Sequence, residues 1–484
     1  MILSAALAFG VLTKGHDWGD DFAGYISQAS SIIHGTLRES VARTAFTMER
    51  SSRSYAPIAY PWGFPVLLAP VYLACGGLNI FCLKLLNIPL FALFLFVFFK
   101  FLVRRLLLVD SALVLSVLAF SPALLPFLNN VLSDITFLFF STWSILLIEQ
   151  HIVRPAQAQG SPGRNMWLGA VLFCAFFVRT NGILLVPTLF LTQSIVWWRR
   201  GGSKTEWGRV VRVAAIPYAV FGVLTVAVLL LFPGGEASYL THFRGLSVEA
   251  VLGNLSTYFW LPVDFFDPIP FAEIFWGALL PFVIAGVARH YDNDFHSLTY
   301  VGLTLLLLIL WPERQGLRYM YPLLPFLIYF GYRGMQTTAL ALAERYRRGG
   351  ERLTRAVWVV VVALFIAASF DIARANVTHQ RVPEDGPFDP VSTELFEWIR
   401  TRTPAESVVA FYKPRAMSVM TGRRALLIDR CDQLGRADYV VIRKQADLAD
   451  QVQPGAVTTC NPSMDITRVF ANQTFDVYRV RPTP

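Results

Sequence analysis

The chain has 484 residues, of which 55% are hydrophobic and 15% charged, and its mean hydropathy is +0.49. Soluble domains carry roughly a quarter charged residues, so a single soluble globule is excluded. The formal net charge of +9 is spread between apolar runs and forms no basic face interleaved with stacking aromatics, so it reads as a topology signal and not as a nucleic-acid footprint.

A hydrocarbon core about 30 Å thick requires roughly 20 apolar residues per helix, fewer where neighbours help. This measure predicts about eleven spans, near 1–13, 83–103, 111–128, 135–152, 166–178, 183–198, 213–232, 271–288, 297–311, 321–335 and 356–370. The first is short and begins at the initiator methionine, which reads as a truncated gene start or a weak anchor. It has neither a basic n-region nor a small-residue cleavage site, so a cleaved signal peptide is not expected. The apolar segment 64–77 holds Pro65, Pro70 and Gly76-Gly77; it is too short and too broken to span comfortably and is expected to be interfacial or re-entrant.

Charge tests that assignment, because cytoplasmic loops are rich in Lys and Arg. One side receives Arg104-Arg105, Arg154 and Arg164, the group Arg199, Arg200, Lys204, Arg209 and Arg212, then Arg289, and six arginines from Arg333 to Arg355. That side is expected to be the cytoplasm. The other side receives 14–63, 129–134, 179–182, 233–270, 311–320 and everything after 370. Counting 64–77 as a span would invert the parity and scatter the charges.

From 371 onward the material changes: charged, punctuated by proline, with short apolar runs. Helices are predicted at 391–402 and 414–420 and strands at 407–412, 425–428, 438–443, 467–470 and 475–480. The predicted architecture is an α-helical polytopic membrane domain, 1–370, followed by a small α/β domain, 371–484, outside the cytoplasm. Of five cysteines, Cys75, Cys82 and Cys174 lie in apolar stretches without metal-ligand spacing and read as small core hydrophobes. Cys431 and Cys460 lie in the tail, where an oxidising compartment would permit a disulfide between them.

Chemistry-bearing residues gather on the expected outer side. The first loop opens His16-Asp17-Trp18-Gly19-Asp20-Asp21. Phe22, Ile26, Ala29 and Ile33 then fall on one helical face, opposite Ser27, Gln28 and Ser30, and predict a helix that can lie in the interface; Leu37, Val41, Ala45 and Met48 repeat the pattern. Two carboxylates at a membrane surface suit acid–base work on something delivered from the lipid. Against this, Asp20 or Asp21 can simply cap the helix that follows. Asp134, after Asn129-Asn130-Val131-Leu132-Ser133, stands in the first turn of a membrane helix, where the dipole favours an acid, and taken alone it reads better as a cap. Arg179, Arg314 and Arg318 occur where the positive-inside rule disfavours them. An arginine fork binds phosphate oxygens at two points; the competing readings are snorkelling to headgroups or pairing with Glu313.

At these residues the chain resembles a family. The acid pair, Tyr60-Pro61-Trp62-Gly63-Phe64-Pro65 before an interfacial helix, Ser133-Asp134, and Arg318-Tyr319-Met320-Tyr321-Pro322-Leu323-Leu324-Pro325 together look like the GT-C glycosyltransferases, among them protein O-mannosyltransferases and bacterial aminoarabinose transferases. In the tail, 394–404 (ELFEWIRTRTP), 421–424 (TGRR) and 437–442 (ADYVVI) look like the periplasmic domain of bacterial members. The resemblance implies a multi-pass protein of the bacterial cytoplasmic membrane that inverts the anomeric centre of a sugar carried by a polyprenyl phosphate. It implies Asp20 or Asp21 as general base on the acceptor, with the spacing to Tyr25 favouring Asp21. It further implies Asp134 as the second-loop acid that arranges the acceptor or a cation, and Arg318 facing the lipid phosphate. This chain has Asp20-Asp21 where many members have Asp-Glu. Some relatives use a divalent cation; His16, Asp17 and the acid pair could bind one, at an unspecific spacing. Expected partners are the lipid-linked donor, a lipid, glycan or protein acceptor, and membrane lipids.

Two other readings compete. A transporter or flippase of lipid-linked sugar would carry mid-membrane charges and paired repeats, whereas here nearly all charges cluster at span ends, Lys84 and Glu149 being exceptions near predicted ends, and no repeat is visible. A scaffold in envelope glycan assembly would be indifferent to loss of the acid pair.

Overall fold

The computed structural model describes residues 2–154, 161–199, 207–234, 246–346, 350–379, 381, 385–444, 448–459 and 464–482. In chain order its helices are α1 (Ile2–Gly10), α2 (Asp21–His34), α3 (Leu37–Arg50), α4 (Gly63–Ala74), α5 (Ile80–Lys84), α6 (Asn87–Leu102), α7 (Leu108–Ala119), α8 (Asp134–Ile148), α9 (Pro162–Val178), α10 (Leu185–Arg199), α11 (Trp207–Leu231), α12 (Val248–Trp260), α13 (Pro262–Phe265), α14 (Ala272–Leu310), α15 (Leu324–Tyr346), α16 (Gly350–Thr378), α17 (Pro390–Arg402) and α18 (Pro414–Thr421). Among the described residues, six helical stretches are long and apolar enough to cross a membrane: Ile80–Leu102, Asp134–Val153, Thr180–Arg199, Arg212–Leu231, Ala272–Leu310 and Gly350–Thr378. Three shorter apolar helices, α4, α7 and α9, join them. One apolar core runs through the bundle, from Leu7 to Ala373, and takes in Ala416 of the tail.

The spans expected at 271–288 and 297–311 form one continuous helix, α14. Charge between two apolar runs does not interrupt a helix, and 287–297 contains neither glycine nor proline to do so. The helix is nevertheless bent. Trp276 Nε1 donates to the Phe259 carbonyl at 2.9 Å, and Asn254 Nδ2 donates to the carbonyls of Ile309 and Trp311 at 3.1 and 2.6 Å. Both ends of α14 therefore touch α12, whereas a straight helix would hold Trp276 and Ile309 about 50 Å apart. Its charged middle stands at the far end of the bundle, where Arg105 is shared between Asp294 at 2.7 Å and Glu149 at 2.9 Å.

The tail closes into a five-stranded sheet. The strands are β1 (Val408–Ala410), β2 (Arg424–Leu426), β3 (Tyr439–Arg443), β4 (Met464–Ala471) and β5 (Phe475–Pro482), in the order β2-β1-β3-β5-β4. The first three are parallel; β5 and β4 run antiparallel. Alternation divides the sheet into two apolar faces: Val409, Val441 and Val477 pack with Leu395 and Ile399 of α17, while Ala410, Val440 and Val480 pack with Leu434. Asp389 starts α17 by accepting from the Ser392 amide at 2.7 Å, and Gly422, at φ +75°, ends α18. The preceding helix, α16, continues through the expected boundary at 370 as far as Thr378.

The first loop is fastened to this domain, and α2 is mostly buried instead of lying on a lipid surface. Trp18 packs on the Leu395 face and Phe46 on the Leu434 face. Thr47 Oγ1 donates to the Ala425 carbonyl at 2.9 Å, and the Ser52 amide donates to the Leu427 carbonyl at 2.8 Å. Loop and tail thus enclose the end of the bundle at which Asp20 and Asp21 stand.

Candidate active site

Adjacent carboxylates leave α2 in different directions. Asp20 occupies the cap position but makes no cap hydrogen bond. It is buried, with Oδ1 accepting from the Ala416 amide of α18 at 3.0 Å and Oδ2 accepting from the Tyr55 hydroxyl at 3.0 Å. Burial raises its pKa above the ordinary carboxylate value, against the pull of Arg415 and both hydrogen bonds. Asp21, the first helical residue, turns into the bundle. Its Oδ1 accepts from the Tyr60 hydroxyl at 2.6 Å and its Oδ2 from Arg318 Nη2 at 3.1 Å. Burial pushes its pKa upward, but Arg318, Tyr60 and Arg415 outweigh it and hold the carboxyl below its usual range.

The other candidates extend from Arg318. The guanidiniums of Arg318 and Arg179 lie 5.0 and 4.5 Å from the centre of the Tyr319 ring. Arg179 pairs with Asp134, the buried first residue of α8. Beside it, Ser133 Oγ lies 2.9 Å from the Tyr25 hydroxyl, and the Tyr25 ring stacks on Tyr60 at 4.5 Å. Burial works against the charge of Arg318, yet Asp134, Tyr319 and Asp21 raise its pKa. Asp21, Arg318, Arg179 and Asp134, far apart in the chain, thereby form one connected group, in which Asp21 and Arg318 keep about a third of their side-chain surface open.

Arg314 stands apart: it is exposed, over Gly253 of α12. His16 and Asp17 pair with each other at 2.6 Å, and His16 Nε2 accepts from the Val131 amide at 3.1 Å, so both ring nitrogens are engaged. Among the described residues no three His, Cys, Asp or Glu side chains gather as a metal site. Cys75 and Cys82, expected as separate core hydrophobes, are joined by a disulfide. The Gly76-Gly77 pair, with φ of +71° and +108°, turns the chain between α4 and α5 and lets the two sulfurs meet. Cys174 is free and half-buried. Cys431 is disulfide-bonded, but the expected Cys431–Cys460 pairing falls outside the described residues, because Cys460 does.

No family model matches the chain, and no curated protein matches it in sequence. Solved structures match along nearly its whole length. ArnT from Cupriavidus metallidurans in the apo state gives a TM-score of 0.57 at 14% identity, covering 98% of this chain and 95% of that one. The same protein bound to undecaprenyl phosphate gives 0.56 at 12%, covering 99% and 96%. The archaeal oligosaccharyltransferase AglB from Archaeoglobus fulgidus, in complex with an inhibitory peptide and a dolichol-phosphate, gives 0.56 at 10% identity, covering all of this chain and 74% of that one. The chain has the GT-C fold. Within this fold, the group around Asp21 sits between the helical bundle and the C-terminal sheet, at the end opposite the Arg105 cluster.

Two residues of this centre carried no role in the sequence. Tyr60 begins the Tyr60–Pro65 motif, and its hydroxyl donates to Asp21 Oδ1 at 2.6 Å. Arg415 comes from the soluble domain; its Nη1 donates to the Tyr60 hydroxyl at 2.5 Å and its Nη2 to the Pro57 carbonyl. No local pattern links residues 355 positions apart. Chemically the centre offers an ionised carboxylate, a phenol, and two arginines facing one ring. Such a set can receive a proton and neutralise an oxyanion within a few ångströms.

Proposed function

We propose that this chain is an inverting glycosyltransferase that moves a sugar from a polyprenyl phosphate to an acceptor hydroxyl or amine at the outer face of a bacterial cytoplasmic membrane. The observation that carries the reading is the contact between Asp21 and Arg318, a partly open carboxylate–guanidinium pair in a GT-C fold. Asp21 is the base: it takes the acceptor's proton as the acceptor attacks the anomeric carbon and the bond from that carbon to the phosphate oxygen breaks. Arg318 and Arg179 receive the departing lipid phosphate. The two roles are coupled, because a phosphate arriving at Arg318 competes with Asp21 for Nη2 and leaves the carboxylate a better base once the donor is seated. Asp134 acts through Arg179, and Asp20 through the docking of α18.

The undecaprenyl phosphate bound to ArnT and the dolichol-phosphate bound to AglB support a lipid-phosphate donor. The outer-face placement is supported by the arginine-rich opposite end and by the Cys75–Cys82 disulfide, since disulfides persist in oxidising compartments. In detergent or nanodiscs, the purified protein should consume a polyprenyl-phosphate sugar from a panel of donors presented with envelope lipids and glycans, and Asp21→Asn should not. A donor pool left intact by the wild-type protein while lipid-linked sugar crosses the bilayer would replace this reading with a flippase. Comparing envelope glycans of cells with and without the gene identifies the acceptor.

A further inference from the structure

The soluble domain sends one side chain into the reaction centre. Arg415, the second residue of α18, is 5% exposed, and no carboxylate among the described residues lies within ion-pair distance of it. Burying a guanidinium without such a partner is costly, so its position calls for an account. Asp20 does not pair with it but grips the next residue, accepting from the Ala416 amide at 3.0 Å, which fixes where α18 begins. The guanidinium then lies 4.8 Å from the centre of the Tyr60 ring, donates to the Tyr60 hydroxyl and the Pro57 carbonyl, and leaves Nε buried without a partner.

We propose that Arg415 is a positioning residue of the reaction centre, which by donating to the Tyr60 hydroxyl directs that hydroxyl's single proton onto Asp21. A guanidinium can only donate, so the Tyr60 oxygen must accept from it. The phenol's one hydrogen is then committed to Asp21 Oδ1 at 2.6 Å. The ring cannot swing away. Gln28 clasps the Tyr60 backbone, donating to its carbonyl at 2.9 Å and accepting from its amide at 3.1 Å. On the inner side, a Cβ at Gly24 would come within 2.6 Å of the ring, so only glycine lets Tyr60 and Arg415 pack so close to α2.

The groups facing Asp21 are then Arg318 from the loop before α15, Tyr60 and Arg415 from the outer side, Asp20 beside it, and Tyr25 with the Arg179–Asp134 pair behind. A phenol that accepts from a cation is a stronger donor, so Arg415 keeps Asp21 ionised and unreactive until donor and acceptor arrive. Docking of the soluble domain therefore completes the site. The catalytic consequence rests on the glycosyltransferase reading above; the hydrogen-bond relay does not.

The test is an infrared titration of the Asp21 carboxyl, its band assigned by loss in Asp21→Asn, compared across wild type, Tyr60→Phe, Arg415→Gln, Arg415→Lys and the Tyr60→Phe/Arg415→Gln double variant. Asp21 should titrate about one pH unit higher in each of Tyr60→Phe and Arg415→Gln. The double variant should shift it by less than the sum, and Arg415→Lys should stay near wild type. The acid limb of kcat/KM for sugar transfer should move in the same direction. An unmoved Asp21 titration in Arg415→Gln, or fully additive shifts, overturns the relay. If Arg415→Gln fails to fold, Tyr60→Phe keeps the Asp20–Ala416 contact, and an unmoved titration there overturns it equally. A wild-type protein that consumes no lipid-phosphate sugar removes the functional reading, while the infrared result still judges Arg415.

Discussion

The two ends of the bundle use the same residue types for different ends. At one, Arg105 bridges Glu149 and Asp294, with side-chain exposures of 3%, 0% and 2%, and Tyr329 donates to Asp294 at 2.7 Å. The turn after α6, the turn after α8, the bend of α14 and Tyr329 of α15 are tied there by buried charges, reached from outside only where exposed Arg154 approaches Glu149 at 3.7 Å among the described residues. At the other, Asp21 and Arg318 are 33% and 31% exposed and meet at 3.1 Å, with one fork of the guanidinium engaged. A sealed pair leaves no room for a third party, whereas an open one can exchange its partner for a substrate's oxygen. Arginine–carboxylate contact therefore does not mark function in this protein; access does.

The largest effect that separates the ends is on turnover. Asp21→Asn keeps the shape of the side chain and removes its basicity, and transfer should fall by about 10²–10⁴-fold, the range for a lost general base, with the melting midpoint little changed. Arg105→Ala should do the reverse. It takes the guanidinium from two buried carboxylates, leaving Asp294 to Tyr329 and Glu149 to Arg154 alone, a loss of about 3–5 kcal/mol, read as a lowered thermal midpoint and yield, while turnover per folded molecule stays near wild type. A large turnover loss in a well-folded Arg105→Ala protein would erase the distinction.

Between these extremes lies Arg318→Lys. A lysine retains the charge but loses the planar fork, and the remaining point charge meets one oxygen instead of two. Turnover should drop by about 10-fold to 10²-fold, and Asp21 should titrate nearer its ordinary value, because the guanidinium holds it low. Without any effect on donor KM or kcat, Arg318 would belong with the structural pairs.

Much of this is legible in the sequence. The long apolar runs of α6, α8, α11 and α16 announce themselves by composition, and the tail's α17, α18 and strands fall where period and turn residues put them. Asp20-Asp21 and Arg318 stood out because charge is expensive beside a membrane. What stayed hidden was long-range. Nothing around residue 415 says that its arginine reaches Tyr60, and nothing in Asp20-Asp21 says that one carboxylate turns outward to α18 while its neighbour turns inward to Arg318. The stretches expected as spans at 271–288 and 297–311 belong to one bent helix, because the charged residues between them include neither glycine nor proline to end it. Cys75 and Cys82 were legible in principle, since a glycine pair between two cysteines is a turn that can bring them together.

The smallest predicted effect sharpens the contrast within the acid pair itself. Burial holds Asp20 above its ordinary value, so its contribution to stability is fully present below the unfolded pKa of about 3.9 and is lost as pH rises through the folded value. Asp21, held low by Arg318, Tyr60 and Arg415 against burial, has the opposite sense: its contribution is present above about 3.9 and lost as pH falls through the folded value. Asp20→Asn should therefore cost about 1 kcal/mol or less at acid pH, through a weakened tie to Ala416 and Tyr55, and that cost should shrink toward neutral pH. Asp21→Asn should lower the thermal midpoint slightly near neutral pH and progressively less in acid. Thermal midpoints of both variants measured from pH 3 to 8 should give difference curves of opposite slope. Parallel slopes would mean that the two carboxylates share one environment, and the separate roles assigned to them, one a tie and one a base, would not stand.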